Sequence, residues 1–400
     1  MRQYALITGG YWAFTLTDGA LRMLVVLYFH QLGYSPLEIA LLFLFYEFFG
    51  VVTNLFGGWA AARTGLAATF VAGLALQIVA LSMLLTEPDY LSVAYVMAAQ
   101  ALSGIAKDLN KLSAKSSVKL LAGDREGRLF RWVAWLTGSK NALKGAGFFL
   151  GGTGLSLIGF QASIATMAMS LGLVAIVALL LLDWREGRAS FKPKFSDVWS
   201  KSEKINLLAA ARLFLFGSRD VWFVVALPVF LQIELGWSSF AVGSFLAAWI
   251  IGYGAVQVLA PSLTAINNES QPPNGRTALT WALSLAAIPA VLAIGLNQSI
   301  NPELLLISGL ITFGAVFAMN SAIHSYLIVS YANADGVSLD VGFYYMANAA
   351  GRLLGTACSG WLYQAYGIDA CLTVSAGFLL IVVFLSARLP RQAKEISKLS

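Results

Sequence analysis

Charge is what this chain has least of. Only 12% of its 400 residues are Asp, Glu, Lys or Arg, about half the roughly 25% of a soluble domain. With 58% hydrophobic residues and a mean hydropathy of +0.74, its surface suits lipid and not water. Cysteine is nearly absent. Cys358 and Cys371 both lie in apolar runs, which excludes a disulfide scaffold and leaves no recognisable metal or metalloid spacing. No P-loop and no nucleophile elbow occurs, so neither a nucleotide-driven pump within this chain nor a hydrolase is indicated, and no cofactor is expected. A cleavable signal is not expected either. The first apolar stretch, Tyr4 to about His30, exceeds a signal-peptide core and is followed at once by another. The formal charge of +6 lies in short loops between apolar runs, so nucleic acid is not an expected partner.

Apolar stretches of about 20 residues, the length that crosses a bilayer core, recur along the chain. They fall near 5–29, 37–60, 67–86, 91–113, 129–156, 162–182, 205–232, 239–260, 278–296, 303–330, 341–364 and 369–387. The expected fold is an all-α membrane protein with twelve transmembrane helices. With the N-terminus inside, the inner segments hold Arg2, Arg63, Lys115, Lys119, Arg125, Arg128, Arg131, Arg185, Arg188, Lys192, Lys194, Lys201, Lys204, Arg276, Arg388, Arg391, Lys394 and Lys398. Outer turns such as Gln31–Pro36 and Thr86–Tyr90 hold no Lys or Arg. That asymmetry places both termini in the cytoplasm.

The longest polar stretch, Asp183 to Lys204, carries six basic residues and Pro193. It divides the chain into an N-terminal six-helix bundle (1–183), a cytoplasmic linker (184–204) and a C-terminal six-helix bundle with a short tail (205–400). An internal echo supports two related halves. Asp18 precedes Gly33-Tyr34-Ser35 by fifteen residues, and Asp220 precedes Gly236-Trp237-Ser238 by sixteen. Six plus six helices around a basic central loop resembles the major facilitator superfamily. Its signature loop after the second helix is present in part. Gly58, Arg63 and Gly65 match, but Ala62 stands where an acid is expected, so the usual charge lock at the inner gate lacks its acid.

Eight of the 26 basic residues fall inside the spans: Arg22, Lys107, Lys111, Lys140, Lys144, Arg212, Arg219 and Arg352. Only four acids lie at comparable depth: Asp18, Glu47, Asp108 and Asp220. A cation at the bilayer centre costs roughly 3 kcal/mol on insertion scales unless it faces protein or water. The excess points to a small anionic substrate. Lys107, Lys111 and Lys115 recur every four residues on one helical face. Snorkelling to the interface is the plain alternative for Lys111 and the favoured one for Lys115. Lys140 and Lys144, one turn apart and near mid-membrane, are expected to bind the anion.

Asp18 and Arg22, four apart, could simply pair with each other. Arg219 and Asp220 are adjacent and project about 100° apart, so they are expected to serve different partners. Glu47 is either a proton site or the partner of a lysine. Protonating an acid beside a cation frees that cation for substrate, so Asp18, Glu47 and Asp220 are the candidate proton-coupling residues for transport driven by inward proton movement. Arg352 is the main cation of the C-terminal half beyond the seventh helix, with Asn320, His324 and Asn348 around it. His324 reads as an interior histidine with satisfied hydrogen bonds. Glycines 145, 147, 151, 152 and 154 favour close helix approach.

Several of these blocks resemble one narrow family, the ArsJ organoarsenical efflux permeases of bacterial arsenic resistance. They are Tyr11 to Arg22, Leu44 to Asn54, Gly104 to Lys111, Gly138 to Gly145 and Phe216 to Val225. The resemblance implies export of 1-arseno-3-phosphoglycerate from the bacterial inner membrane, with a functional link to a glyceraldehyde-phosphate dehydrogenase that makes it. Lipid and that small anion are the expected partners, and a monomer is the expected state. Such a ligand carries several negative charges, which suits Arg forks and Lys point charges. The N-terminal lysines are expected to hold one end, and Arg219 with Arg352 the other. A general organophosphate or phosphate exchanger would use the same cations. A nontransporting receptor or scaffold would pair its charges internally.

Overall fold

The computed structural model describes residues 2–34, 42–122, 126–185, 202–224, 226–237, 239–265, 272–296, 298, 301–333 and 335–391. Among them every regular element is helical. The helices are α1 Arg2–Gln31, α2 Leu44–Thr64, α3 Leu66–Met83, α4 Val93–Ala122, α5 Glu126–Leu181, α6 Glu203–Phe223, α7 Ala226–Ile233, α8 Ser239–Ala265, α9 Gly275–Leu296, α10 Pro302–Tyr331 and α11 Val337–Ser386. The linker expected at 184–204 lies mostly outside the described residues.

Among the described residues eleven helices cover the twelve expected spans, because two helices are doubled and one span is shared by α6 and α7. The apolar part of α5 covers 53 residues and that of α11 covers 50, each more than twice what a ~30 Å core needs. Each folds back at a glycine with non-helical backbone, Gly159 (φ 78°) and Gly367 (φ 80°). Only glycine adopts that conformation at no steric cost. The span expected at 205–232 is covered by α6 and α7, with residue 225 between them outside the described residues. Pro228 then sits in the first turn of α7, where its missing N–H is not needed. The internal echo has a backbone counterpart: Gly33 (φ 87°) and Gly236 (φ 69°) both end helices in left-handed turns. In the first, the Tyr34 amide donates back to Phe29 O at 3.1 Å.

Seven of the helices are long and apolar enough to cross a membrane: α1, α3, α5, α8, α9, α10 and α11. Of the other long ones, α2, α4 and α6 carry Glu47, Lys107, Asp108, Lys111, Arg212, Arg219 and Asp220. The same charges that weaken their lipid signature build the candidate site. Outward side chains such as Phe149 (74% exposed), Leu157 and Leu180 form apolar surface that water would not tolerate. The chain is a multi-pass membrane protein.

The molecule divides into two compact units. Unit 1 comprises residues 1–123, 139–199 and 332–346, and unit 2 comprises 124–138, 200–331 and 347–400. In unit 1 backbones approach closely at glycines. A side chain at Gly104 would strike the Tyr46 backbone, and Gly147 and Gly151 face the Leu16 and Ala20 carbonyls of α1. α2 also meets the start of α11. Gly58 O accepts from Ser338 Oγ at 3.0 Å. A Cβ on Gly58 would lie 2.5 Å from Ser338 O, and one on Gly342 would lie 2.9 Å from Gly58 Cα. Ala62 is fully buried, and the two helices meet through backbone at Gly58 and Gly342. Unit 2 is centred on aromatic rings. Trp222 meets Phe313 edge-on at 5.0 Å, and Phe313 stacks on Phe317 at 5.6 Å.

Candidate functional site

In unit 1, α1, α2 and α4 bring the expected charges into a chain. Arg22 Nη2 lies 3.2 Å from Glu47 Oε1, and Lys107 Nζ lies 4.0 Å from Glu47 Oε2 and 3.7 Å from Asp108 Oδ2. Lys111 pairs with the other oxygen of Asp108. Gly50 of α2 makes the room, since a Cβ there would sit 2.8 Å from Asp108 Oδ2. Asp18 and Arg22 are not a pair. Asp18 accepts from the Tyr46 hydroxyl at 2.6 Å, and Arg22 turns instead to Glu47. One helical turn permits the Asp18–Arg22 pair, but the acid on the neighbouring helix offers Arg22 a counter-charge without crowding Asp18.

Tyr46 is the member that sequence reading missed. Its ring, 2% exposed, lies under Arg22 at 4.7 Å and Lys107 at 3.8 Å, while its hydroxyl holds Asp18. Its position beside Glu47 was the available signal, but a tyrosine in an apolar run ordinarily reads as packing. Lys111 also caps the Tyr345 ring at 4.6 Å. It is therefore tied within unit 1 and does not snorkel outward. Lys115, expected at the interface, is 2% exposed and enclosed by protein, as the close α2–α4 and α3–α4 packing requires.

Lys140 and Lys144 stand one turn apart on α5, both half-buried. Lys144 Nζ lies 5.9 Å from the Phe148 ring centre. Its carbonyl faces Gly19, where a Cβ would come within 2.7 Å. The glycine next to Asp18 is thus what lets α5 carry its lysines against α1. Nearby, Trp12 Nε1 donates to Ser139 Oγ at 3.0 Å.

Unit 2 is built around a single acid. Asp220, fully buried, is met on one oxygen by Arg219 (Nη2 at 2.5 Å, Nε at 2.6 Å) and on the other by Arg352 Nε at 3.2 Å. The expectation that Arg219 and Asp220 serve different partners is corrected. The guanidinium is long enough to fold back across the 100° between adjacent residues, and the Phe216, Phe223 and Phe317 rings flank it at 5.0–5.7 Å. Asn348 and Asn320 have other bonds than those expected. Asn348 Oδ1 accepts from Arg212 Nε at 2.8 Å, and Asn320 Nδ2 donates to Trp281 O at 2.8 Å and Val316 O at 3.0 Å. Arg212, counted among the deep cations but given no role, is 3% exposed and also donates to Ser321 O at 3.2 Å. His324 is not a satisfied interior histidine. It is fully buried, and neither ring nitrogen has a hydrogen-bond partner.

The two units can therefore do the same kind of chemistry. Each holds more of the span cations than span acids: Arg22, Lys107, Lys111, Lys140 and Lys144 with Asp18, Glu47 and Asp108 in unit 1, and Arg212, Arg219 and Arg352 with Asp220 in unit 2. Cys358 and Cys371 are free thiols. Among the described residues no group of His, Cys, Asp and Glu could hold a metal ion.

Known proteins agree with this architecture. The human organic anion transporter MFSD10 (TETRAN) shares the fold at a TM-score of 0.75 and 17% identity, covering 96% of this chain and 99% of that one. A bacterial homologue of the iron transporter ferroportin, in an outward-facing state, gives 0.76 and 13%, covering 97% and 99%. The proton:xylose symporter XylE gives 0.76 and 10%, covering 100% and 99%. No curated protein matches the chain by sequence. The family model described as Major Facilitator Superfamily matches residues 7–338, most of the chain's length. The chain belongs to the Major Facilitator Superfamily and is a membrane transporter of that type.

Proposed function

We propose that this transporter exports a small, multiply charged oxyanion from the bacterial cytoplasm across the inner membrane, with both termini cytoplasmic. The substrate proposed is 1-arseno-3-phosphoglycerate, supplied by a glyceraldehyde-phosphate dehydrogenase that uses arsenate. The observation that carries the reading is the excess of two deep cations over acids in each unit. An intramembrane charge is costly enough to be kept only for function, and arsenate and phosphate groups are what Arg forks and Lys ammonium groups bind best. Arg22, Lys107, Lys111, Lys140, Lys144, Arg219 and Arg352 are the proposed binding cations, with Asn320 and Asn348 as polar neighbours. The ArsJ-like blocks contain Arg22, Lys107, Lys111, Lys140, Lys144 and Arg219, which favours the arsenylated ligand over a generic one.

Proton coupling through Asp18, Glu47 or Asp220 belongs to the same proposal. Glu47 and Asp220 each touch two cations, so protonating either as the anion binds would pass those cations from the carboxylate to the substrate. Asp18 is held by a hydroxyl and acts on those cations through Tyr46. Uptake into everted vesicles tests the reading with four probes: the arsenylated phosphoglycerate, phosphoglycerate, arsenate and phosphate. Uptake should favour the first by ~10-fold or more over arsenate, equivalent to ~1.4 kcal/mol, and should fall when the proton gradient is collapsed. Equal uptake of all four would replace it with the general organophosphate or phosphate exchanger.

A further inference from the structure

In the second half of α10 each residue from Phe317 to Val329 is buried. A helix enclosed on all sides is expected to be apolar throughout. This one carries Asn320, Ser321, His324 and Ser325 within six residues. Their exposures are 0–1%, yet His324 Nδ1 and Nε2, Ser325 Oγ and Asn320 Oδ1 have no hydrogen-bond partner. Buried polar atoms are satisfied almost everywhere in folded proteins, so a cluster of orphans marks unseen water, an ion or a working group.

Among charged groups and tyrosines, α6 carries Glu203, Lys204, Arg212, Arg219 and Asp220, α8 carries Tyr253, and α9 carries Arg276. α10 itself adds Glu303, Tyr326 and Tyr331, and the part of α11 in unit 2 adds Arg352, Tyr363, Tyr366 and Asp369. Asp220 is held by Arg219 and Arg352, and Lys204 lies against the Tyr331 ring at 5.9 Å. Arg212 anchors its guanidinium on Ser321 O at 3.2 Å, one turn before His324 on the same helix. A second positive charge beside Arg212 is opposed by it. That opposition is relieved when an anion meets Arg212.

We propose that His324 is a proton-carrying residue, reached through internal water at Ser325, that takes up a proton when an oxyanion neutralises Arg212. Proton and anion then bind together at this site, and the loaded protein carries less net charge. The existence of the site does not depend on the transport reading. Its use in coupling does.

Two measurements test it on the full chain. The protein has two histidines, so a His30→Gln background leaves His324 as the single ring for histidine-selective nitrogen-15 spectroscopy. The ring N–H should exchange with heavy water within minutes, and inorganic phosphate should move its signals toward imidazolium values. A ring that stays sealed for days has no proton path, and the proposal fails. The second measurement separates a working histidine from an idle one. His324→Leu removes the orphaned nitrogens and should raise the unfolding temperature by about 2–4 °C. It should also cut phosphoglycerate uptake ~10-fold and, like His324→Gln, flatten its pH profile. Leucine with unchanged uptake and pH profile, or with a lowered unfolding temperature, would show an idle or structurally bonded ring and overturn the proposal. If the unmutated protein moves none of the four anions, the transport reading fails, and heavy-water exchange still decides the histidine.

Discussion

Unit 1 and unit 2 hold the same excess of deep positive charge in different ways. Unit 1 uses four lysines and one arginine, and strings its acids between them: Arg22, Glu47, Lys107, Asp108, Lys111. Unit 2 uses only arginines, with Asp220 as a hub between two of them. A chain shares its load. When one acid is lost, its cations still have another carboxylate or the Tyr46 ring to turn to. A hub shares less, because one carboxylate meets both Arg219 and Arg352, and aromatic rings flank Arg219. The two arrangements also suit different contacts. Lysines act as mobile point charges, whereas arginines present a planar fork that is already held in place.

The comparison is sharpest at its extremes. Asp220→Asn should have the largest effect, because it leaves two guanidinium groups without their counter-charge. Losing one partner of a buried pair costs about 3–5 kcal/mol, so the variant should give a large fall in unfolding temperature or no recoverable folded protein. If it proves as stable as Glu47→Gln, the hub is not a hub.

Next come Lys140→Met and Lys144→Met. Each should lower transport of the arsenylated phosphoglycerate at least ~10-fold, at ~1.4 kcal/mol per decade, and leave the unfolding temperature nearly unchanged. A matching loss of stability would mean that these lysines are structural counter-charges and not ligand contacts.

Arg352→Lys keeps the charge and removes the fork. It should weaken transport several-fold, while Lys107→Arg in the lysine unit should be nearly neutral. Equal effects in a side-by-side vesicle assay would erase the distinction between fork and point charge. The smallest change expected is from Glu47→Gln. Lys107 keeps Asp108, Arg22 keeps the Tyr46 ring at 4.7 Å, and the pair is about a quarter exposed. A cost of at most about 1 kcal/mol in thermal unfolding is expected. A cost near that of Asp220→Asn would show that the chain does not share its load.

Composition and hydropathy alone determined the membrane class, the helical fold and the identity of the deep charges. Those signals are additive along the chain: each span needs ~20 apolar residues, and each buried ion must be retained against a penalty. Gly33 and Gly236 were legible as matching positions of the two halves, whereas the left-handed backbone at Gly159 and Gly367 came only from the structure.

Which charge meets which was decided only by tertiary structure. Helical spacing permitted Asp18–Arg22 and argued against Arg219–Asp220, and the structure shows the reverse in both cases. A long cationic side chain chooses its counter-charge from whatever neighbouring helices bring within reach, and sequence spacing on one helix carries no record of that. Tyr46 as the bridge between Asp18 and two cations, the backbone contact of Gly58 with Ser338, and the unpartnered imidazole of His324 depend in the same way on contacts between residues distant in sequence. The chain's order determined that the charges are buried. Packing between helices determined what they touch.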